Sequence, residues 1–90
     1  MPKILQILRY EYVPDIAERR TEYRPAHLEQ IKAFQADGRL ELAGAVGDPP
    51  SWGLLVFGDA DAAEAFVADD PYVAAGLVTR WTVEPWTVVT

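Results

Sequence analysis

The 90-residue chain has no cysteine, one histidine and one methionine, and each scarcity removes a class of function. Without cysteine there can be no disulfide and no thiolate chemistry. One histidine without cysteine leaves only carboxylates as ligands for a transition metal, and the sequence contains no glycine-rich phosphate loop. We therefore expect no metal and no other cofactor.

Basic residues and long apolar runs are also scarce. Eight Lys and Arg stand against 14 Asp and Glu, and the resulting net charge of −6 disfavours nucleic acid as a partner. No segment approaches the roughly 20 apolar residues of a membrane span. The opening MPKILQILRY lacks the long apolar stretch and cleavage site of a secretory signal. The sequence thus predicts a cytoplasmic protein without a membrane partner, and its length predicts one domain over residues 1–90.

The hydrophobic pattern changes its period along the chain, which is typical of mixed α and β structure. Residues 3–13 and 52–57 are apolar at both odd and even positions, so each is predicted to be a strand covered on both faces. Residues 39–46 alternate instead, which places Leu40 and Leu42 on the same face of a third strand. A further strand closes the chain.

Helical patterns fill the gaps between these strands. Asp15 with Glu18, and Asp61 with Glu64, form capping-box patterns at two helix starts, and Pro25 suits the first turn of another helix. The order β-α-β-β-α-β fits a ferredoxin-like α+β fold. In that fold an antiparallel sheet has strands one and three at its centre and both helices on one face.

The predicted fold leaves one face of the sheet without a cover. Two helices cover a single face, whereas the central strands are apolar on both, and the chain is too short to supply another layer. A second copy of the chain is the simplest cover. The sequence therefore predicts a homodimer in which two sheets pack face to face.

The single histidine, His27, lies in the stretch YRPAHLEQIKAF. At about 100° per residue, Leu28, Ile31 and Phe34 define the buried stripe of a helix, and His27 falls inside that stripe and points toward the sheet. Two interpretations are open. His27 is either a core-edge residue whose ring is satisfied by a backbone carbonyl or water, or a general base.

A second candidate, Asp70, immediately precedes Pro71 in FVADDPYVAAG. An aspartate followed by proline is a good start for a helical turn, because the carboxylate can accept from free backbone N–H groups. Capping alone would account for Asp70, although the adjacent Asp69 crowds two negative charges together.

Four motifs, YRPAHL, LELAGA, DPYVAAGLV and VEPW, together resemble the YciI-like (YCII-related) family over nearly the whole chain. The resemblance implies a ferredoxin-like fold of the dimeric α+β barrel type. It also implies an active-site pair of histidine and aspartate, which here are His27 and Asp70. Arg24 occupies the arginine position of the first motif. The segment Pro49–Trp52 departs from the family pattern, so the resemblance does not define the shape of the pocket.

The implied chemistry is proton transfer. A neutral His27 takes a proton from a bound substrate and returns it elsewhere, while Asp70 fixes the ring tautomer and stabilises the imidazolium. Arg24 either holds a carboxylate or enolate oxygen or pairs with a nearby acid such as Glu22. The implied function is a small cofactor-independent enzyme of lyase, dehydrochlorinase or isomerase type acting on a small organic substrate. The alternative is a dimeric small-ligand-binding or accessory module without turnover.

Overall fold

A computed structural model describes residues 3–90, which form four strands and four helices. In chain order they are β1 (Lys3–Tyr12), α1 (Ile16–Arg19), α2 (Arg24–Ala36), β2 (Leu40–Val46), β3 (Trp52–Phe57), α3 (Ala60–Asp69), α4 (Pro71–Ala74) and β4 (Val78–Val88). Apart from the two four-residue helices α1 and α4, this is the predicted β-α-β-β-α-β order. Within residues 3–90, no helix is long and apolar enough to cross a membrane.

The strands form one antiparallel sheet in the order β2-β3-β1-β4. The predicted central position of the first and third strands is confirmed. Their register places Ile7 opposite Val56 and Leu8 opposite Leu55, so that neighbouring residues of β1 look to opposite faces of the sheet. The long runs of apolar residues in both strands follow from this central position.

The helices lie on one face of the sheet, called here the inner face. Leu8, Leu55 and Phe57 of the sheet pack there with Phe34 of α2 and Phe66 of α3. The ring centroid of Phe66 is 5.1 Å from that of Phe34 and 5.5 Å from that of Phe57. Each such side chain stabilises the fold by about 1.5–3 kcal/mol when it is removed from water. This core fixes both long helices, and the site residues they carry, against the sheet.

The opposite, outer face of the sheet is divided into two halves. Leu5, Ile7 and Val56 belong to an apolar half, whereas Arg9 and Glu11 continue β1 into a charged half. The charged half is completed by side chains of β4. The helices cover the inner face only. The prediction of apolar groups on both faces of β1 holds for the half with Leu5 and Ile7, but it is wrong for the half with Arg9 and Glu11, where the outer face is charged.

The alternation predicted for β2 is wrong because the strand contains a bulge. Leu40 pairs with Phe57, but Leu42 pairs with Val56, so Glu41 is the extra residue between them. Leu40 is therefore buried on the inner face, whereas Leu42 looks outward and is 67% exposed. The bulge also turns the next small residues of β2 toward the helices.

Both predicted capping boxes are also wrong. The third helix begins two residues earlier than predicted, where Asp59 Oδ1 accepts from the backbone N–H of Ala62 at 2.8 Å, and Asp61 lies within the first turn. At α1, Asp15 makes no side-chain capping hydrogen bond, and its carboxylate lies 3.7 Å from the guanidinium of Arg19 instead. Asp59 thus takes the capping position predicted for Asp61, and Asp15 lies near Arg19 instead of capping α1.

The buried stripe of α2 differs from the prediction at one position. Phe34 is buried and Ile31 is half-buried, as expected, but Leu28 is 38% exposed. The reason lies in the facing strand, where β2 presents Ala43 and Ala45 to the inner face. Two methyl groups do not reach α2, so a cavity opens between the helix and the strand.

Candidate functional site

Asp70 caps α4 as the sequence predicted. Its backbone is extended, Pro71 follows as the first helical residue, and its Oδ1 accepts from the backbone N–H of Tyr72 at 2.9 Å. The side chain is not at the surface, however, because Asp70 is only 1% exposed. A buried carboxylate needs more than one donor to offset its lost hydration, and the fold supplies two more.

His27 supplies the first of these donors. It lies in the first turn of α2, is 6% exposed, and its Nδ1 is 2.8 Å from Asp70 Oδ1. The two residues are 43 positions apart in sequence and meet because α2 and α4 pack side by side. Both interpretations of Asp70 therefore describe the same carboxylate, which caps a helix and contacts the histidine.

Tyr10 supplies the second donor from the centre of the sheet. Its hydroxyl donates to Asp70 Oδ2 at 2.8 Å, and the side chain is fully buried. Burial, followed by the nearby Asp70 carboxylate, raises the pKa of the Tyr10 phenol, which keeps it protonated as a donor. Sequence patterns did not connect Tyr10 with Asp70.

This arrangement determines how the imidazole is protonated. An ionised carboxylate only accepts hydrogen bonds, so His27 donates its Nδ1 proton to Asp70, and Nε2 keeps a free lone pair. The ring is also held in place by its neighbours. It stacks on Tyr72, with centroids 3.8 Å apart and planes 7° apart, and meets Phe66 edge-on at 6.1 Å. The imidazole is therefore held in one orientation and one tautomer.

The imidazole borders a cavity of about 300 Å³ between α2 and the inner face of β2. This volume is at the lower end of the roughly 300–1,000 Å³ typical of small-molecule sites. Residues of α2 and β2 form most of its wall, together with one residue from each of five other segments: Tyr12, Arg20, Arg24, His27, Leu28, Ile31, Ala43, Gly44, Ala45, Pro50, Leu55 and Tyr72. Arg24 therefore lines the cavity. Within residues 3–90 it forms no ion pair with Glu22 or another acid.

The segment Pro49–Trp52 forms part of the cavity wall and does not block the cavity. Pro50 lines the cavity. Trp52 lies opposite Glu11 on the outer face, where the Arg9 guanidinium lies 4.3 Å from its ring centroid. A bulky residue at position 52 therefore leaves the cavity unchanged.

A glycine makes room for one aromatic wall of the cavity. The phenol of Tyr12 lies over Gly53, where a Cβ atom would collide with the Tyr12 hydroxyl. Burial is the main reason that the pKa of Tyr12 is raised to about 12, so the phenol is neutral at pH 7.

Within residues 3–90, no group of three or more His, Asp or Glu side chains is placed to hold a metal ion.

The contact between His27 and Asp70 predicts a single imidazole tautomer. We expect long-range ¹H–¹⁵N correlation spectra to show the neutral ring protonated on Nδ1, and one histidine makes the assignment unambiguous. In Asp70→Asn a carboxamide can donate as well as accept at that place, so the second tautomer should appear. The exposed neighbour Asp69 provides the control, since Asp69→Asn should keep the wild-type tautomer. A wild-type ring protonated on Nε2 would contradict the contact.

The chain matches the sequence profile of the YCII-related domain over residues 5–87. It is 32% identical over 94 aligned residues to the protein YciI of Escherichia coli O6:H1, covering 92% of this chain and 96% of that protein. An uncharacterised protein of Haemophilus influenzae is 34% identical over 85 residues, covering 82% of this chain and 87% of that protein.

Among solved structures, similarity extends to the 5-chloro-2-hydroxyhydroquinone dehydrochlorinase TftG of Burkholderia phenoliruptrix, determined with bound 2,5-dihydroxybenzoquinone. The TM-score is 0.74 and the identity 22%, with 92% of this chain and 93% of that chain covered. This likeness shows a shared fold, the ferredoxin-like fold of the dimeric α+β barrels. Because the profile match spans residues 5–87 and two relatives are more than 30% identical over most of their length, the chain belongs to the YCII-related family.

Proposed function

We propose that the protein is a small enzyme that moves a proton on a small organic substrate without a cofactor, with His27 as the general base. The observation that carries the proposal is the fixed imidazole. Asp70 holds its Nδ1 at 2.8 Å, and the ring borders a cavity of about 300 Å³. A base held in one tautomer at the wall of a cavity of ligand size is what proton abstraction requires.

The proposed reaction begins when the free lone pair of His27 Nε2 takes a proton from a carbon next to a carbonyl group. The electron pair of that C–H bond moves toward the carbonyl, whose oxygen becomes an enolate. Arg24 holds an anionic oxygen of the substrate, and Asp70 stabilises the imidazolium. Returning the proton to another atom completes an isomerisation, whereas loss of a leaving group such as chloride completes an elimination, after which the imidazolium releases its proton to solvent. Both outcomes balance without an oxidant or reductant.

The substrate class follows from the size of the cavity and from one structural neighbour. TftG is a dehydrochlorinase that was solved with a small cyclic compound. A cavity of about 300 Å³ has room for one substituted ring, and its wall combines tyrosines with apolar side chains. We propose a small cyclic, enol-forming compound as the substrate.

The proposed functional unit is a homodimer in which the outer faces of two sheets cover each other. Leu42 and Trp86 support this proposal, since they lie on the outer face and are 67% and 44% exposed in the single chain. Together with Leu5, Ile7 and Val56 they extend the apolar half of that face. A partner sheet would remove this surface from water.

Light scattering should give twice the mass of the chain for the wild type at micromolar concentration. Leu42→Glu should raise the dissociation constant at least about tenfold, because it places a charge in an apolar contact. Stability of the single chain should change little, since Leu42 is already exposed there. Lys32→Glu, on the exposed side of α2, is the control and should leave the mass unchanged. A monomeric wild type would refute the face-to-face dimer.

Proton exchange into deuterium oxide tests the proposed activity and does not require the product to be identified. Wild-type protein treated with a chelator is incubated with small cyclic ketones, lactones and hydroxyquinones, and NMR follows deuterium incorporation at acidic C–H positions. We expect one class to exchange faster with the wild type than with buffer. His27→Gln should reduce that exchange to the buffer rate, because glutamine has no lone pair of comparable basicity.

Two outcomes would overturn the proposed activity. If exchange persists in His27→Gln, the base is another group. If compounds bind saturably to the wild type but none exchanges or reacts, the protein is a ligand-binding or accessory module. Lys32→Gln, a change on the exposed side of α2, serves as the matched control and should keep the wild-type exchange rate.

A further inference from the structure

We propose that Arg20, Arg24 and the Tyr72 hydroxyl form an anion-binding subsite at the cavity, which selects substrates carrying a carboxylate or phenolate group. The inference rests on the proposed function, because it names the substrate class of the same cavity. It adds two groups, Arg20 and Tyr72, to which neither the sequence analysis nor the proton-transfer step gives a role.

The helical path of the chain brings the two arginines to the cavity together. The backbone N–H of Arg24 donates to the carbonyl of Arg20 at 2.8 Å, so the two residues are one helical turn apart on the same side. The next turn brings His27, whose backbone N–H donates to Tyr23 at 3.1 Å. Arg20, Arg24 and His27 all line the cavity. The two cations and the base therefore follow one line along its wall.

The charges of the two arginines are not compensated locally. Within residues 3–90, neither guanidinium forms an ion pair with a carboxylate, although the chain carries a net charge of −6. Neighbouring Arg19, by contrast, pairs with Asp15. Like charges one helical turn apart repel each other slightly. A bound anion would remove that repulsion and accept hydrogen bonds from both guanidinium groups.

The Tyr72 hydroxyl is an independent sign of a missing ligand. Tyr72 is 2% exposed and lines the cavity, yet its buried hydroxyl has no hydrogen-bond partner within residues 3–90. Burial raises the pKa of this phenol, while Arg24 and Arg20 lower it, so both cations lie near its oxygen. A guanidinium can only donate to the hydroxyl, so among the described residues the hydroxyl's own hydrogen has no acceptor. A buried hydroxyl without a partner is unfavourable, because it has lost its hydrogen bonds to water. An anionic oxygen held by the arginines would accept a hydrogen bond from the Tyr72 hydroxyl.

Spacing along the helix gives the shape of the ligand. At 1.5 Å per residue, Arg24 is about 4.5 Å from His27 along the axis of α2, and Arg20 lies beyond Arg24, before the helix begins. The acidic C–H must lie at the imidazole, so the anionic group lies at the other end of the substrate. One ring spans this distance. The subsite therefore fits a single-ring monoanion with its carboxylate or phenolate oxygen turned away from His27.

Equilibrium binding of benzoate and its neutral analogue benzamide tests the subsite apart from catalysis. Calorimetry with the His27→Gln protein removes any contribution from turnover. We expect benzoate to bind about tenfold more tightly than benzamide, and Arg20→Gln or Arg24→Gln to reduce benzoate affinity about tenfold, since each removes a charge-assisted hydrogen bond. Benzamide affinity should stay unchanged. Tyr72→Phe keeps the aromatic ring but removes the hydroxyl, and it should weaken benzoate binding a few-fold.

Arg19→Gln is the matched control, because it removes the same charge one residue from Arg20 but outside the cavity. It should leave benzoate binding unchanged. Equal affinities for benzoate and benzamide, no saturable benzoate binding, or an equal loss in Arg19→Gln would each overturn the subsite. Anion selectivity without deuterium exchange supports the subsite and overturns the proposed activity. Deuterium exchange on neutral substrates at a rate that Arg20→Gln leaves unchanged supports the proposed activity and overturns the subsite.

Discussion

Replacing Asp70 by alanine is expected to destabilise the protein by about 3–5 kcal/mol, a large share of the total stability of a chain this size. Asp70 accepts from three buried donors, the Nδ1 of His27, the hydroxyl of Tyr10 and the backbone N–H of Tyr72. Each donor left without an acceptor costs about 1–3 kcal/mol. Removing the carboxylate also removes the cost of burying it, which keeps the total below the sum of the three largest values.

Urea unfolding measures this loss, and Asp59→Ala is the matched control. Asp59 also caps a helix, accepting from Ala62 at 2.8 Å, but it has no second or third donor. Its replacement should cost about 1 kcal/mol. Asp70→Asn should fall between the two, since a carboxamide can still accept from some of the donors. Equal losses for Asp70→Ala and Asp59→Ala would mean that Asp70 acts as a helix cap alone.

The contacts of Asp70 also explain why a helix cap stands beside a candidate base. A surface aspartate would cap α4 equally well, but it would not reach His27 on α2 or Tyr10 on β1. The carboxylate joins two helices to the central strand and orients the imidazole at the same time. Stability and the geometry of the site therefore depend on one side chain.

Sequence reasoning reached the architecture because its signals are local. Apolar residues at both odd and even positions of β1 and β3 predict strands that are central in the sheet. The positions of His27 and Asp70 were matched through motifs, each of which is continuous in sequence. Their mutual contact joins residues 43 positions apart and needs the packing of α2 against α4.

The parts of the site that sequence reasoning missed depend on how distant parts of the chain pack together. Tyr10 is recognisable as an aromatic residue of β1, but its partner lies 60 positions away. Arg20 lies before α2, outside the motif YRPAHL that contains Arg24. Its direction becomes clear only from the hydrogen bond that continues the helical path.

A bulge is similarly invisible to a pattern of alternation. The residues of β2 alternate in the same way whether or not Glu41 is an extra residue, so the expected face of Leu42 is wrong by one step. The shift has a functional consequence. It directs Ala43 and Ala45 toward α2, and their small side chains leave the cavity open beside His27.

Turnover of the substrate class identified by deuterium exchange should fall in a graded series. His27→Gln should lower kcat by about 10²–10⁴-fold, because the base itself is lost. Asp70→Asn keeps the base but releases its orientation and tautomer, which should cost on the order of 10²-fold. Tyr10→Phe removes one donor from Asp70 without touching the imidazole, so its loss should be smaller still.

The order of these losses distinguishes a positioned base from general damage to the fold. Each variant is first compared with the wild type in urea unfolding, and rates are measured where all proteins are folded. Asp69→Asn, beside Asp70 but exposed, should keep a wild-type rate. KM should change little along the series, since none of the three residues is proposed to hold the anionic group, whereas Arg24→Gln should raise KM. A loss in Tyr10→Phe as large as that in His27→Gln would contradict the assignment of His27 as the base, because the loss would then follow the integrity of the buried cluster.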